Sequence, residues 1–135
     1  MSATLSAKAR AYLEERRFTV LATINHDGSP QLTTMWYLLD GDEILMNTKV
    51  GRAKERNLRR DPRVSICVED GYHYLTISGS VQLIDEQETA QRDIYRLAAR
   101  YHGEEAARQQ MQEQFSHEQR VTLRLACEHI IDDLE

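Results

Sequence analysis

Three Asp-Gly pairs, at positions 27–28, 40–41 and 70–71, punctuate the first half of this chain and constrain its fold more than any other feature. Asp-Gly between apolar runs favours the tight hairpin, whose central residues need a backbone conformation that glycine adopts without a Cβ clash. The runs around the pairs read as strands. Phe18–Ile24 is β-branched and apolar, Gln31–Leu39 begins directly after Pro30, and Glu43–Thr48 follows the second pair. Beyond them Val64, Ile66 and Val68 alternate with polar neighbours. So do Leu75, Ile77, Val81 and Leu83, interrupted by Gly79, where a bulge or a close backbone approach fits. Val121, Leu123, Leu125 and Cys127 supply a last strand.

Helical spacing appears in three other places. Leu5, Ala9, Tyr12 and Leu13 define an amphipathic helix over residues 5 to 16, with Ser6 as a cap. A short helix fits the basic segment after Gly51, too sparsely apolar for a core position but suited to a barrel rim, and Pro62 ends it. From 85 to 115 Ile94, Leu97, Ala98 and Tyr101 share one face, Gly103 is a stop, and a Gln- and Glu-rich helix continues to Phe115. Six strands with such short connections predict a small antiparallel barrel, mainly β with flanking helices, in a single domain covering residues 1–135. The 85–115 segment is long enough to bridge one end of it.

A domain of 135 residues buries a real core but has no room for separate cofactor and substrate domains, which makes a site shared between two subunits attractive. No apolar run approaches the roughly 18 residues of a membrane span, and the N-terminus lacks the pattern of a signal peptide, so a soluble cytoplasmic protein is expected. Cys67 and Cys127 form no CxxC motif and read as small buried hydrophobes. The five histidines show no paired ligand spacing, which argues against a metal site. No serine or cysteine sits in a nucleophile-elbow motif.

Charge is unevenly placed. The whole chain carries a net −5, yet the window from Lys49 to Arg63 holds seven basic residues against only Glu55 and Asp61. Gly51 lies where the third strand hands over to the rim helix, so backbone amides and cations could meet there to hold a phosphate. Arg52 and Lys54, with the Thr48 hydroxyl and the Asn47 amide, are the candidate donors; a solvated basic helix face is the alternative. With no basic strip elsewhere and few aromatic residues, nucleic acid is not an expected partner. Thr33, Thr34, Met35, Trp36 and Tyr37 put hydroxyl, apolar and aromatic groups on one strand, as a flat ligand's cleft or as core.

Residues 21 to 71, and above all GRAKERNLRRDPR with the Trp36-Tyr37 pair and the His26-Asp27-Gly28 turn, resemble the flavin/deazaflavin oxidoreductases of the pyridoxamine 5′-phosphate oxidase-like split-barrel superfamily, most closely the branch that uses the deazaflavin coenzyme F420. The resemblance implies a homodimeric, six-stranded antiparallel split barrel of Greek-key type with cofactor sites in the subunit interface. It implies phosphate binding by Arg52 and Lys54, with Ala53 and Asn57 nearby and Asn47-Thr48 on the preceding strand. Thr34, Met35 and Trp36 would lie against the ring system, and Tyr74 would reach the partner's cofactor. Pyridoxamine-phosphate oxidases proper carry a C-terminal substrate-binding segment that has no counterpart before Glu135, which argues against vitamin B6 oxidation. The expected function is therefore hydride transfer from reduced F420 to a small electron-poor acceptor. An FMN-dependent oxidase or reductase and a non-catalytic flavin or deazaflavin carrier are the alternatives. The polyanionic tail of F420 would also give Arg56, Arg59 and Arg60 a role.

Overall fold

The alternating runs pair into one antiparallel sheet with helices at its ends in a computed structural model, which describes residues 3–135. In chain order the elements are α1 (Ala7–Glu14), β1 (Thr19–Ile24), β2 (Pro30–Met35), β3 (Leu38–Asp40), β4 (Glu43–Lys49) and α2 (Ala53–Arg60). They continue with β5 (Arg63–Glu69), β6 (Tyr74–Ile84), α3 (Gln87–His102), α4 (Glu104–Glu113), β7 (Arg120–Ala126) and β8 (His129–Asp133). Strand order is β2-β1-β5-β6-β7-β4-β3, with β8 also paired to β6.

The architecture is mainly β, a split barrel with flanking helices, and it has eight strands where six were expected. One extra strand arises because the expected 31–39 strand breaks at Trp36-Tyr37. There the Tyr37 amide donates to the Tyr101 hydroxyl (3.1 Å) and its carbonyl accepts from Arg100, so α3 replaces the neighbouring strand as partner. The other is β8, whose outward residues are largely polar and gave no alternating apolar signal.

The split occurs in β6. Its first half lies between β5 and β8, and its second half pairs with β7. Gly79 sits at the crossover, and a Cβ there would fall 2.6 Å from the Ala126 carbonyl oxygen. This is the close backbone approach that the interrupted alternation predicted. At the β3–β4 hairpin Gly41 takes φ 64°, which an L side chain would oppose.

Leu13, Leu21, Tyr37, Ile44, Met46, Ile66, Ile77 and Leu123 belong to the main core. α1 packs Ala9 and Leu13 into it, and Ser6 caps that helix by accepting from the Ala9 amide at 3.0 Å. A second cluster of Ile94, Leu97, Ala98, Ala107 and Phe115 joins α3 and α4 beside Trp36. Both cysteines are free thiols; Cys127 is buried and Cys67 half-buried. No helix among the described residues is long and apolar enough to cross a membrane.

Candidate functional site

The site is built where β4 turns into α2. Gly51 adopts φ 101°, a region closed to most L residues, and this lets the chain leave β4 and enter the helix within three residues. Its amide donates to Glu55 Oε1 at 2.8 Å, and Arg59 Nε donates to Glu55 Oε2 at 2.7 Å. Those two bonds hold the Glu55 carboxyl below the usual carboxylate range. The Gly51 amide therefore closes the helix start and is not free for an anion. An anion there would have to be held by cationic side chains instead.

Such side chains line a cleft of about 340 Å³, within the size range of small-molecule sites. Arg52 at the N-cap of α2 and Lys54 in its first turn, Asn47, Thr48 and Lys49 from β4, and Arg120 from β7 form one wall. Thr33, Thr34, Met35 and Trp36 form a second, and Ile94, Leu97, Gln114 and Phe115 close the third. Seven of the ten expected cofactor residues thus converge: Thr34, Met35, Trp36, Asn47, Thr48, Arg52 and Lys54.

Three lie elsewhere. Ala53 borders a separate hollow with His26, Arg56 and Arg60. Asn57 is buried, its amide donating to Thr23 Oγ1 (3.1 Å), Asn25 Oδ1 (3.0 Å) and Gln31 Oε1 (2.9 Å), so it ties α2 to the first hairpin. Tyr74 stands half-exposed at the start of β6, on the outer face of the sheet.

Arg120 is the cleft residue that the sequence reading missed. Its only signal is a basic residue just before the alternating apolar run that starts at Val121, and β-sheet register places it opposite Lys49. It is 93% buried, and every side of it but one is held. Gln87 brackets its backbone, accepting from its amide (3.0 Å) and donating to its carbonyl (2.7 Å). Nε donates to Asn47 Oδ1 (3.0 Å), Nη1 to Glu118 Oε1 (2.7 Å), and the guanidinium lies 5.0 Å from the Phe115 ring centre.

Burial and the neighbouring Arg52 both work to lower the Arg120 pKa. The Lys54 ammonium is likewise pushed down, first by burial and then by Arg52 and Arg120. Partly desolvated like charges that depress one another are relieved by an incoming anion. Neither Arg52 nor Lys54 has a carboxylate within salt-bridge distance among the described residues. The other arginines of the segment are engaged: Arg59 with Glu55 and Asp85, Arg63 with Asp61, Arg56 with the Gly51 carbonyl, and Arg60 with the Ile24 carbonyl and Asn57.

The second wall is stiffened by aromatic packing. Trp36 stacks on Tyr101 with centroids 5.4 Å apart and planes 12° from parallel, and meets Phe115 edge-on at 6.4 Å. A rigid apolar wall facing a cationic one suits a ligand with a flat ring at one end and a phosphate at the other.

A profile of the pyridoxamine 5′-phosphate oxidase family matches residues 5–132. Among solved structures the chain is similar to the conserved hypothetical protein Rv2991 from Mycobacterium tuberculosis, at 31% identity over 97% of this chain and 85% of that one, with a TM-score of 0.81. It is similar to an F420 reductase at 26% identity, covering 90% of this chain and 94% of the other, TM-score 0.71. The heme storage protein HutZ of Vibrio cholerae shares the fold at 20% identity, 96% and 94% coverage and TM-score 0.71.

Proposed function

The chain belongs to the pyridoxamine 5′-phosphate oxidase family, and from that membership we propose that it is a coenzyme F420-dependent reductase acting as a homodimer on a small electron-poor organic acceptor. The observation that carries this reading is the convergence of Arg52, Lys54 and Arg120 on a cleft walled by Thr34, Met35 and Trp36. Likeness to an F420 reductase supports the choice of coenzyme.

In this reading the three cations hold the coenzyme's phosphate, with the Thr48 hydroxyl as a further donor. Trp36, kept flat by Tyr101, orients the ring, while Met35, Ile94, Leu97 and Phe115 exclude water from it. Reduced deazaflavin, when bound, supplies a hydride from ring carbon C5. The protein's part is position and electrostatics, since the coenzyme carries the reactive chemistry.

The homodimer is supported by the outer face of the sheet. Thr34, Val20, Cys67, Thr76 and Ile131 line up in register across β2, β1, β5, β6 and β8. Leu32 and Tyr74 stand on the same face, and Leu32 and Ile131 are 67% and 63% exposed. That apolar surface is continuous with the cleft through Thr34, so a partner seated on it closes the site and brings its own Tyr74 face towards it.

One observation favours FMN as the alternative coenzyme. With Arg59 and Arg63 neutralised by acids, the free positive charge suits a single phosphate better than the basic segment suggested. Fluorescence titration with F420 and with FMN decides between them. Micromolar binding of F420, followed by oxidation of its reduced form with a quinone or nitroaromatic acceptor, is the expected result. Binding of FMN alone overturns the coenzyme assignment, and F420 binding without turnover on any acceptor makes the protein a carrier.

A further inference from the structure

We propose that Asp93, which does not touch the cleft, is a positioning residue for its anion subsite, acting through Thr122 and Asn47 on Arg120; this rests on the reading that the cleft holds a phosphate-bearing coenzyme. Asp93 on α3 and Thr122 on β7 are both 0% exposed. Thr122 Oγ1 donates to Asp93 Oδ2 at 2.8 Å, Asn47 Nδ2 donates to Thr122 Oγ1 at 3.3 Å, and Arg120 Nε donates to Asn47 Oδ1 at 3.0 Å.

The direction of this chain follows from proton counting. An ionised carboxylate only accepts, and Asp93 is paired with Arg96 Nη1 at 3.2 Å. A hydroxyl has one proton, so Thr122, having donated it to Asp93, must accept from Asn47. The Asn47 NH2 group then faces Thr122 and the Ala90 carbonyl (2.9 Å), which leaves Oδ1 facing Arg120. Every donor in the relay points towards Asp93, an arrangement in which each bond strengthens the next.

The consequence is geometric. With Nε bonded to Asn47 and Nη1 to Glu118, Nη2 is the guanidinium nitrogen left without a protein partner among the described residues, on a residue that lines the cleft. In Asp93→Asn the new amide can donate to Thr122, whose proton then turns towards the Asn47 NH2 group, a donor that cannot accept it, so the bond that helps fix the Asn47 side chain under Arg120 is lost. Thr122→Val removes the hydroxyl at nearly constant volume, and Thr122→Ser restores it.

Two readouts test the relay. Solvent exchange of the Arg120 Nε–H, followed by NMR in the free protein, is expected to be slow in the wild type and in Thr122→Ser, and about tenfold faster in Thr122→Val and Asp93→Asn. Titrations compare F420 with its phosphate-free deazaflavin chromophore, and FMN with riboflavin. The phosphate-bearing member should bind about tenfold more weakly to Thr122→Val, as for loss of one charge-assisted hydrogen bond, with the phosphate-free member unchanged. A merely structural role would weaken both members alike, and that result overturns the proposal. Fast exchange in the wild type also overturns it, and needs no substituted protein to fold. Wild-type protein that binds neither pair defeats the coenzyme reading and the subsite together. Firm wild-type binding with unaltered phosphate discrimination in both variants defeats the relay alone.

Discussion

The hydroxyl of Tyr101 accepts the backbone N–H of Tyr37 at 3.1 Å and donates to the Arg17 carbonyl at 2.5 Å, so the end of α3 supplies hydrogen bonds that a neighbouring strand would otherwise make. Tyr37 is fully buried, and Tyr101 also carries the stacked Trp36 on its ring. Tyr101→Phe keeps the ring and removes both bonds. It is expected to lower stability by about 1 to 3 kcal/mol, the cost of unsatisfied buried backbone groups, as measured by urea unfolding.

Lys54→Ala should weaken binding of the phosphate-bearing coenzyme by about 1.5 to 3 kcal/mol in a fluorescence titration, with little change in unfolding midpoint. Unchanged affinity would make Lys54 part of a solvated helix face.

The depressed Lys54 pKa gives two pH trends of opposite sign. Burial and two arginines disfavour its charged form in the free protein, so the unfolded chain holds that proton more tightly. Between the lowered folded pKa and the unfolded one, the unfolded state binds more protons and stability contributed at this site rises with pH. Coenzyme affinity runs the other way, because the phosphate needs the ammonium. Titrations across the alkaline range on the wild type and Lys54→Ala should show the fall in affinity only where Lys54 is present.

Asn57→Ala is expected to cost more in stability than in binding. Its amide serves three acceptors in the first hairpin and its Oδ1 accepts from Arg60 at 2.8 Å. A loss of about 1 to 3 kcal/mol in urea unfolding, with coenzyme affinity within twofold of the wild type, is the expected pair of results. The reverse pattern would put Asn57 against the ligand.

Strong acid should loosen the β5–β6 turn. The amides of Tyr72 (2.9 Å) and His73 (2.7 Å) donate to Asp70 Oδ1 and hold its carboxyl at about 2. A depressed carboxyl contributes stability above its unfolded pKa, and that contribution disappears as pH falls through the folded one. Thermal midpoints of Asp70→Asn should therefore vary less than those of the wild type between about pH 4 and pH 2.

Much of the barrel was legible because its signals are local. Asp-Gly needs no distant partner to favour a turn, and alternation along β5, β6 and β7 reports directly which face is buried. Gly79 was readable for the same reason, since a missing side chain in an alternating strand implies a neighbour too close for one. The break at Trp36-Tyr37 was not legible, because the groups that cause it, Arg100 and Tyr101, lie more than sixty residues away.

The charge pattern of residues 49 to 63 marked where excess positive charge would sit, because covalent proximity keeps Arg52 and Lys54 close to each other in any fold. It could not say which arginines remain free. That depended on Asp85, which approaches Arg59 only when the end of α2 comes beside the end of β6, and on Asn47, which meets Arg120 only when β7 pairs with β4. Local sequence therefore determined the turns, the strands and the site of excess charge, because those depend on neighbours a few residues apart. Tertiary structure decided which cations face the cleft, because contacts such as Arg59–Asp85 and Arg120–Asn47 join groups that are distant in the chain and become adjacent only when the barrel closes.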